Sequence, residues 1–233
     1  MNALAGRLAV VTGASRGIGA AVAAALRESG ATVVRLARSL TAHEGDGVID
    51  LPCDLTDDKA RDAALDRILA IGTPDILVNN AGGWAGAPLE FLSLAAFDQL
   101  VSVNLRTPVA VAQRILPAMR TAGRGRHIAI GSISDHFAFP ANSAYSVTKF
   151  GLRGFHEVVR EEYRGSGVLS TLVSPGPVDT PLWDPLDPDG KSGFMARRDM
   201  LRPEDVADVV RFIATRPPTV EIDWIRMGPA AKR

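Results

Sequence analysis

Tyr145 and Lys149 stand four residues apart in the stretch 132–149, SISDHFAFPANSAYSVTK. In a helix that spacing stacks phenol and ammonium on one face, roughly 5–6 Å apart at Cβ. A free phenol titrates near about 10, and a cation held beside it lowers that value, so the pair can hand a proton to an oxygen and take it back. Ser132 directly follows the apolar run 126–131, a buried strand whose end would bring its hydroxyl to the same cleft. By itself the Tyr-Lys spacing also fits an ordinary helix. His136 and Phe137 fall between Ser132 and Tyr145, and either line a substrate pocket or form a plain loop.

The elements that must position these groups begin with the β-branched run 8–12, a strand covered on both faces. Gly13, Gly17 and Gly19 follow it, and then a small-residue helix over 20–29 that Gly30 stops. Strand, glycine turn and helix form a phosphate cradle: backbone can approach a pyrophosphate, and the helix start offers free N–H groups. The spacing is G-x-x-x-G-x-G and differs from the G-x-G-x-x-G fingerprint. In dinucleotide-binding units an acid at the end of the next strand takes the ribose 2′-hydroxyl, whereas an arginine there takes a 2′-phosphate. Here the strand 31–37 runs into Ala37 and Arg38, with Arg16 in the glycine turn. NADP(H) is therefore expected and NAD(H) is the alternative; both arginines could also be solvated surface charges.

Further strands are expected over 48–53, 75–79, 168–173 and 221–226, with helices over 57–71, 95–122, 150–164 and 203–215. Thr56 is the expected N-cap and Gly72 the stop of the second helix. Asn79 and Asn80 end the fourth strand beside the glycine turn. Pro108 has no N–H, so the Asn104 carbonyl four residues back loses its helical partner. A kink with an ordered water answers that loss, either as a proton conduit or with no chemical role. Residues 181–202, rich in Asp, Pro and Gly and carrying Trp183, read as a lid. Trp84, His136, Phe137 and Trp183 are the candidate substrate contacts.

Composition narrows the function classes. The 233 residues are 46% hydrophobic, enough for one large α/β core. Lys plus Arg and Asp plus Glu are 26 each, so no net charge attracts nucleic acid or an anionic membrane. Cys53 is the single cysteine and fits core packing. No run reaches the roughly 18 apolar residues of a membrane span, and a cytoplasmic location is expected. No metal-ligand cluster is evident.

TGASRGIG from Thr12, NNAG from Asn79, Asn104, Ser132, YSVTK from Tyr145 and PGPVDT from Pro175 together resemble the short-chain dehydrogenase/reductase family over nearly the whole chain. The resemblance implies one Rossmann-like doubly wound α/β domain over 1–233, with a seven-stranded parallel sheet in order 3-2-1-4-5-6-7 and helices on both faces. It implies an oxidoreductase that passes hydride between a nicotinamide and a small or medium carbonyl/alcohol pair. Tyr145 would be the general acid/base. Lys149 would hold the nicotinamide ribose and depress the phenol's pKa, Ser132 would bind the substrate oxygen, and Asn104 would hold a water linking Lys149 to solvent. Gly13, Ser15, Arg16, Ile18 and Gly19 would embrace the pyrophosphate and adenosine ends, and Arg38 the 2′-phosphate. Asp54 and Leu55 would meet the adenine, Asn80 the ribose, and Val178 and Thr180 the carboxamide.

Two other readings stay open. A 3-oxoacyl thioester reductase needs a basic patch at the cleft mouth, for which Arg197 and Arg198 are the candidates; a cofactor-sensing regulator would keep the fold and lose the chemistry. The chain end, Pro217 to Gly228, lacks the family's glycine-rich signature. A homo-oligomer is expected, with a dimer as live an option as a tetramer.

Overall fold

Runs of Val, Ile and Leu supply the strands of one eight-stranded sheet in this computed structural model: β1 (Leu8–Thr12), β2 (Thr32–Ala37), β3 (His43–Gly45), β4 (Val48–Pro52), β5 (Ile76–Asn79), β6 (Gly125–Ile130), β7 (Val168–Pro175) and β8 (Trp224–Met227). The order is β3-β4-β2-β1-β5-β6-β7-β8, and every pairing is parallel except β3 with β4. The structure describes residues 2–191 and 193–230; Met1, Ser192 and residues 231–233, parts of the expected domain and lid spans, lie outside them.

The expected seven-strand order is present, and β3 is the addition. It turns back through Asp46 and Gly47, both at positive φ (51° and 75°), so Gly45 pairs directly with Val48. An Asp-Gly pair is the preferred centre of a two-residue hairpin. That signal stood in the sequence and was missed.

Among the described residues, six α-helices cover the two faces: α1 (Gly17–Glu28), α2 (Asp58–Ile71), α3 (Leu94–Val101), α4 (Thr107–Thr121), α5 (Ser143–Glu162) and α6 (Pro203–Ala214). Alternation along the strands divides the core. Ala9 and Val11 of β1 join Val22 and Leu26 of α1 and Val210 and Ile213 of α6, while Val10 faces Leu65 of α2, Ile115 of α4 and Val159 of α5. Truncating a fully buried residue such as Ile115 to Ala would cost about 2–5 kcal/mol.

Two helix expectations need correction. Asp57, not Thr56, caps α2: its carboxylate accepts from the N–H groups of Lys59 (2.9 Å) and Ala60 (3.1 Å). The Thr56 hydroxyl donates instead to Asp54 at 2.7 Å. The single helix expected over 95–122 is two helices joined by a π-helical turn, Ser102–Arg106. Pro108 explains the break, because it cannot donate to Asn104; the ladder widens, and Thr107 N–H reaches back five residues to the Ser102 carbonyl.

A buried polar chain ties the sheet to the helices. His156 Nε2 meets the Asp223 carbonyl (3.1 Å), and His156 Nδ1 and His127 Nδ1 both meet the Ser170 hydroxyl (3.0 and 2.8 Å). Asn79 Nδ2 donates to His127 Nε2 and to the Pro108 carbonyl, both at 3.1 Å. With both histidines neutral, one proton arrangement satisfies every link: His156 protonated at Nε2, Ser170 donating to His156, and His127 protonated at Nδ1.

Candidate active site

Parallel order reverses at β1, which pairs with β2 on one side and β5 on the other. A crevice opens at the carboxyl ends of the strands at such a switch point. The glycine turn lies there. Gly13 and Gly17 adopt positive φ (64° and 56°), and a Cβ on Gly19 would fall 2.3 Å from the Gly13 carbonyl oxygen. Thr12 and Asn80 hold the turn. The Thr12 hydroxyl accepts from Asn80 N–H and Ala81 N–H, both at 3.0 Å. The Asn80 amide donates to the Thr12 carbonyl (2.9 Å) and the Gly13 carbonyl (3.2 Å), so its Nδ2 braces the turn.

Helix α1 has no acid in its first turn, which leaves its positive dipole end uncompensated. Ser15 and Ile18 are half-buried in the turn; Arg16 and Arg38 are exposed. Among the described residues neither arginine forms an ion pair. Arg38 lies close enough to Asp54 to help lower that carboxyl's pKa, though the hydrogen bonds from Thr56 lower it more. Leu55 is buried in the core, with its carbonyl on the Thr107 hydroxyl. Beyond β7, Val178 is buried, and the Thr180 methyl would lie 3.1 Å from a Cβ on Gly17.

The second cluster forms where β6 ends. Helix α5 begins at Ser143, so Tyr145 falls in its first turn and Lys149 one turn further on. Lys149 is buried and donates from Nζ to the Ile130 carbonyl at 3.0 Å. Ser132 opens a 3-10 turn, Ile133–Asp135, and its hydroxyl sits near enough to the Tyr145 phenol to pull that pKa down. Burial dominates, however. Although the ring of Tyr145 is only half-buried, its hydroxyl lies deep, and desolvation pushes the phenol up to about 12; burial likewise brings Lys149 down to about 8. The expectation of a depressed phenol pKa is thereby corrected.

Asn104, in the π turn, is buried and reaches both sides of the crevice. Its amide donates to the Gly83 carbonyl (2.9 Å) and the Thr148 hydroxyl (3.1 Å), and its Oδ1 accepts from Gly83 N–H (2.8 Å). Trp84 donates from Nε1 to Asn142 Oδ1 at 2.8 Å, which draws the loop after β5 onto the start of α5. Phe137 is exposed. His136 is held by Asp135 (2.5 Å from Nδ1) and packs edge-on to Trp224 of β8, with ring centroids 5.2 Å apart.

Residues 181–202 form two 3-10 turns, Pro181–Leu186 and Arg197–Asp199, and Trp183 donates to the Val178 carbonyl at 2.9 Å. Arg197 pairs with Asp179 (2.8 Å) and Asp184 (2.6 Å), and Arg198 approaches Asp199 at 3.8 Å. Arg197 is thus paired on both sides, while Arg198 stays largely exposed.

Thr12, Thr148 and Asp135 went unnoticed in the sequence. Asp135 had a signal, since Ser132-x-x-Asp135 is a capping-box spacing, and the structure shows both halves of the box. Among the described residues, no group of three or more His, Cys, Asp or Glu side chains could hold a metal ion, and no helix is long and apolar enough to cross a membrane.

Residues 7–191 match the family model described as short chain dehydrogenase. The cis-4-hydroxycyclohexanecarboxylate dehydrogenase of Sinomonas cyclohexanicum is 35% identical over 92% of this chain and 91% of its own. A metagenomic short-chain oxidoreductase solved in complex with NADP is 34% identical, with a TM-score of 0.80 over 99% of this chain and 100% of that one. The alcohol dehydrogenase of the archaeon Thermococcus sibiricus, solved with 5-hydroxy-NADP, is 26% identical with a TM-score of 0.85 over 97% and 98%. Match, fold and crevice agree: this chain is an oxidoreductase that belongs to the short-chain dehydrogenase/reductase family.

Proposed function

We propose that the protein is an NADP(H)-dependent oxidoreductase that interconverts a small or medium carbonyl compound and its alcohol. The observation that carries this reading is the meeting of Ser132, Tyr145 and Lys149 at the end of β6, across the crevice from the glycine turn. The cradle fits the cofactor: backbone fills the space a side chain at Gly19 would need, and Arg16 and Arg38 are exposed and uncommitted beside it. NADP and an NADP analogue in the two solved relatives support the same choice, with NAD(H) as the alternative.

When bound, the nicotinamide gives or accepts the hydride. Ser132 donates its hydroxyl hydrogen bond to the carbonyl oxygen and orients it. As hydride reaches the carbonyl carbon, Tyr145 delivers its phenolic proton to that oxygen; in the reverse direction the phenolate takes it back. Lys149, anchored at Ile130, keeps a positive charge near that phenolate and holds the nicotinamide ribose. The Asn104 side chain is fully engaged, which leaves its main-chain carbonyl, freed by Pro108, to hold the water that returns the proton from solvent. Gly13, Ser15, Arg16, Ile18 and Gly19 hold the pyrophosphate end, Arg38 the 2′-phosphate, Asp54 and Leu55 the adenine, and Val178 and Thr180 the carboxamide. Residues 181–202 act as the lid of this single domain, and Trp84 and Trp183 close the substrate space. A homo-oligomer in the cytoplasm completes the reading.

The test is nicotinamide absorbance with a carbonyl panel that includes 4-oxocyclohexanecarboxylate and other cyclic ketones, run with NADPH and with NADH. Turnover with NADPH is expected. A chain that binds NADPH yet turns over nothing would point to the cofactor-sensing regulator.

A further inference from the structure

The Asp135 carboxylate has no solvent exposure and lies directly under the candidate site. Oδ1 accepts from His136 Nδ1 at 2.5 Å, and Oδ2 accepts from the Ser174 hydroxyl at 2.5 Å and from Ser132 N–H at 3.3 Å. A Cβ at Gly131 would fall 2.5 Å from Oδ2, so the position after β6 is left without a side chain where the carboxylate sits. One peptide unit earlier is Ile130, whose carbonyl takes the Lys149 ammonium. The carboxylate therefore bonds to the Ser132 turn and sits against Gly131, the residue after the carbonyl that takes Lys149.

Its neighbours come from several elements. Tyr145 and Lys149 face it from α5, His136 from its own turn and Ser174 from β7. Behind Ser174, Trp224 of β8 donates to the same hydroxyl at 2.8 Å, and the Arg153 and Arg226 guanidiniums lie over the Trp224 ring. A buried carboxylate with three donors is well satisfied and stays in place.

Resting on the roles given above to Tyr145 and Lys149, we propose that Asp135 is a positioning residue that fixes the Ser132 turn and sets a buried negative charge against the phenol and the ammonium. Its effect is to favour donation of a proton to a carbonyl over removal of one from an alcohol. Charge of that sign raises the proton affinity of both neighbours: it opposes phenolate at Tyr145 and supports the cation at Lys149. Lys149, already lowered to about 8 by burial, would fall further without it and lose its charge near neutral pH. The site is thus poised for reduction.

The test is lysine-selective carbon-13 NMR on the full chain, with Lys149→Met to assign the signal, beside pH profiles of alcohol oxidation. In Asp135→Asn the Lys149 titration should drop by on the order of one pH unit, and the oxidation rate should climb at correspondingly lower pH. Ser174→Ala, which removes a donor and keeps the charge, should leave the Lys149 titration within a few tenths of a unit. If Asp135→Asn does not fold, Gly131→Ala reads the same coupling, because its methyl must displace the carboxylate. An unmoved Lys149 titration in a folded Asp135→Asn enzyme that still turns over carbonyls overturns the proposal alone. A shifted titration in a chain that reduces no carbonyl keeps the charge coupling and refutes the catalytic roles on which the proposal rests.

Discussion

Lys149 reaches the backbone, not the phenol: its Nζ lies 3.0 Å from the Ile130 carbonyl oxygen and 5.6 Å from the Tyr145 ring centroid. Stacking four residues apart brings the two groups to one face, and burial then sets their proton affinities. A phenol pushed up to about 12 keeps its proton at neutral pH, ready to donate it. Tyr145→Phe keeps the ring and removes that donor. Turnover should fall by about two to four orders of magnitude while NADPH binding, followed by fluorescence, stays within a few-fold. Activity within tenfold of the parent enzyme would remove Tyr145 from the chemistry.

In the proposed reading, cofactor choice depends on Arg38. A charge-assisted contact with a phosphate contributes roughly 1.5–3 kcal/mol, or about ten- to more than a hundredfold in affinity. Arg38→Ala should therefore lose most of the preference for NADPH with little effect on NADH. The ratio of kcat/KM for the two cofactors decides the matter, and an unchanged ratio would leave Arg38 as a solvated charge.

Arg197 joins Asp179, next to the presumed carboxamide contacts, to Asp184 within the segment 181–202. Pairs with carboxylates this exposed are weak, so Arg197→Ala should loosen the segment without unfolding the core. Limited proteolysis within 181–202 should become several-fold faster and KM for the carbonyl should rise, with the melting temperature moving by only a few degrees. Unchanged cleavage would show that other contacts hold the segment.

Acid should weaken the fold through the histidine chain. Burial holds His127 at about 3 and lowers His156, so His127 remains neutral in the folded state through mildly acid pH while the unfolded chain takes up protons near 6.5. With more protons bound in the unfolded state, stability is intact above about pH 6.5 and is lost as pH falls below it. Urea midpoints between pH 6.5 and 4.5 should trace that loss. His127→Gln should make the slope shallower by about one proton, and an identical slope would exclude His127 as its source.

The strands, the glycine turn and the Tyr-Lys helix were legible because each rests on local signals: β-branched runs, glycine spacing and helical period; the strand order came only with the resemblance to the family. Other features depend on partners remote in sequence. Whether Asn80 faces a ligand or braces the Thr12 and Gly13 carbonyls is decided by packing across β1 and β5. The phenol's proton affinity depends on how deeply α5 settles against β6, which no spacing of four residues encodes. Pro108 announced a disturbed helix, but not that it takes the form of a π turn, beside which the Asn79 amide meets the Pro108 carbonyl and Gly83 N–H meets Asn104 Oδ1.

The short β3 arm bears on how the molecule avoids its own copies. A parallel sheet ending at β4 would present an open row of backbone donors and acceptors, a template on which another chain could add a strand. Three residues folded back through Asp46 and Gly47 occupy that row, and the outermost side chains are the exposed His43 and Glu44, the latter paired with Arg67 of α2 at 3.5 Å. A cap so short and polar offers little length for further pairing. Self-association through this border is thereby discouraged.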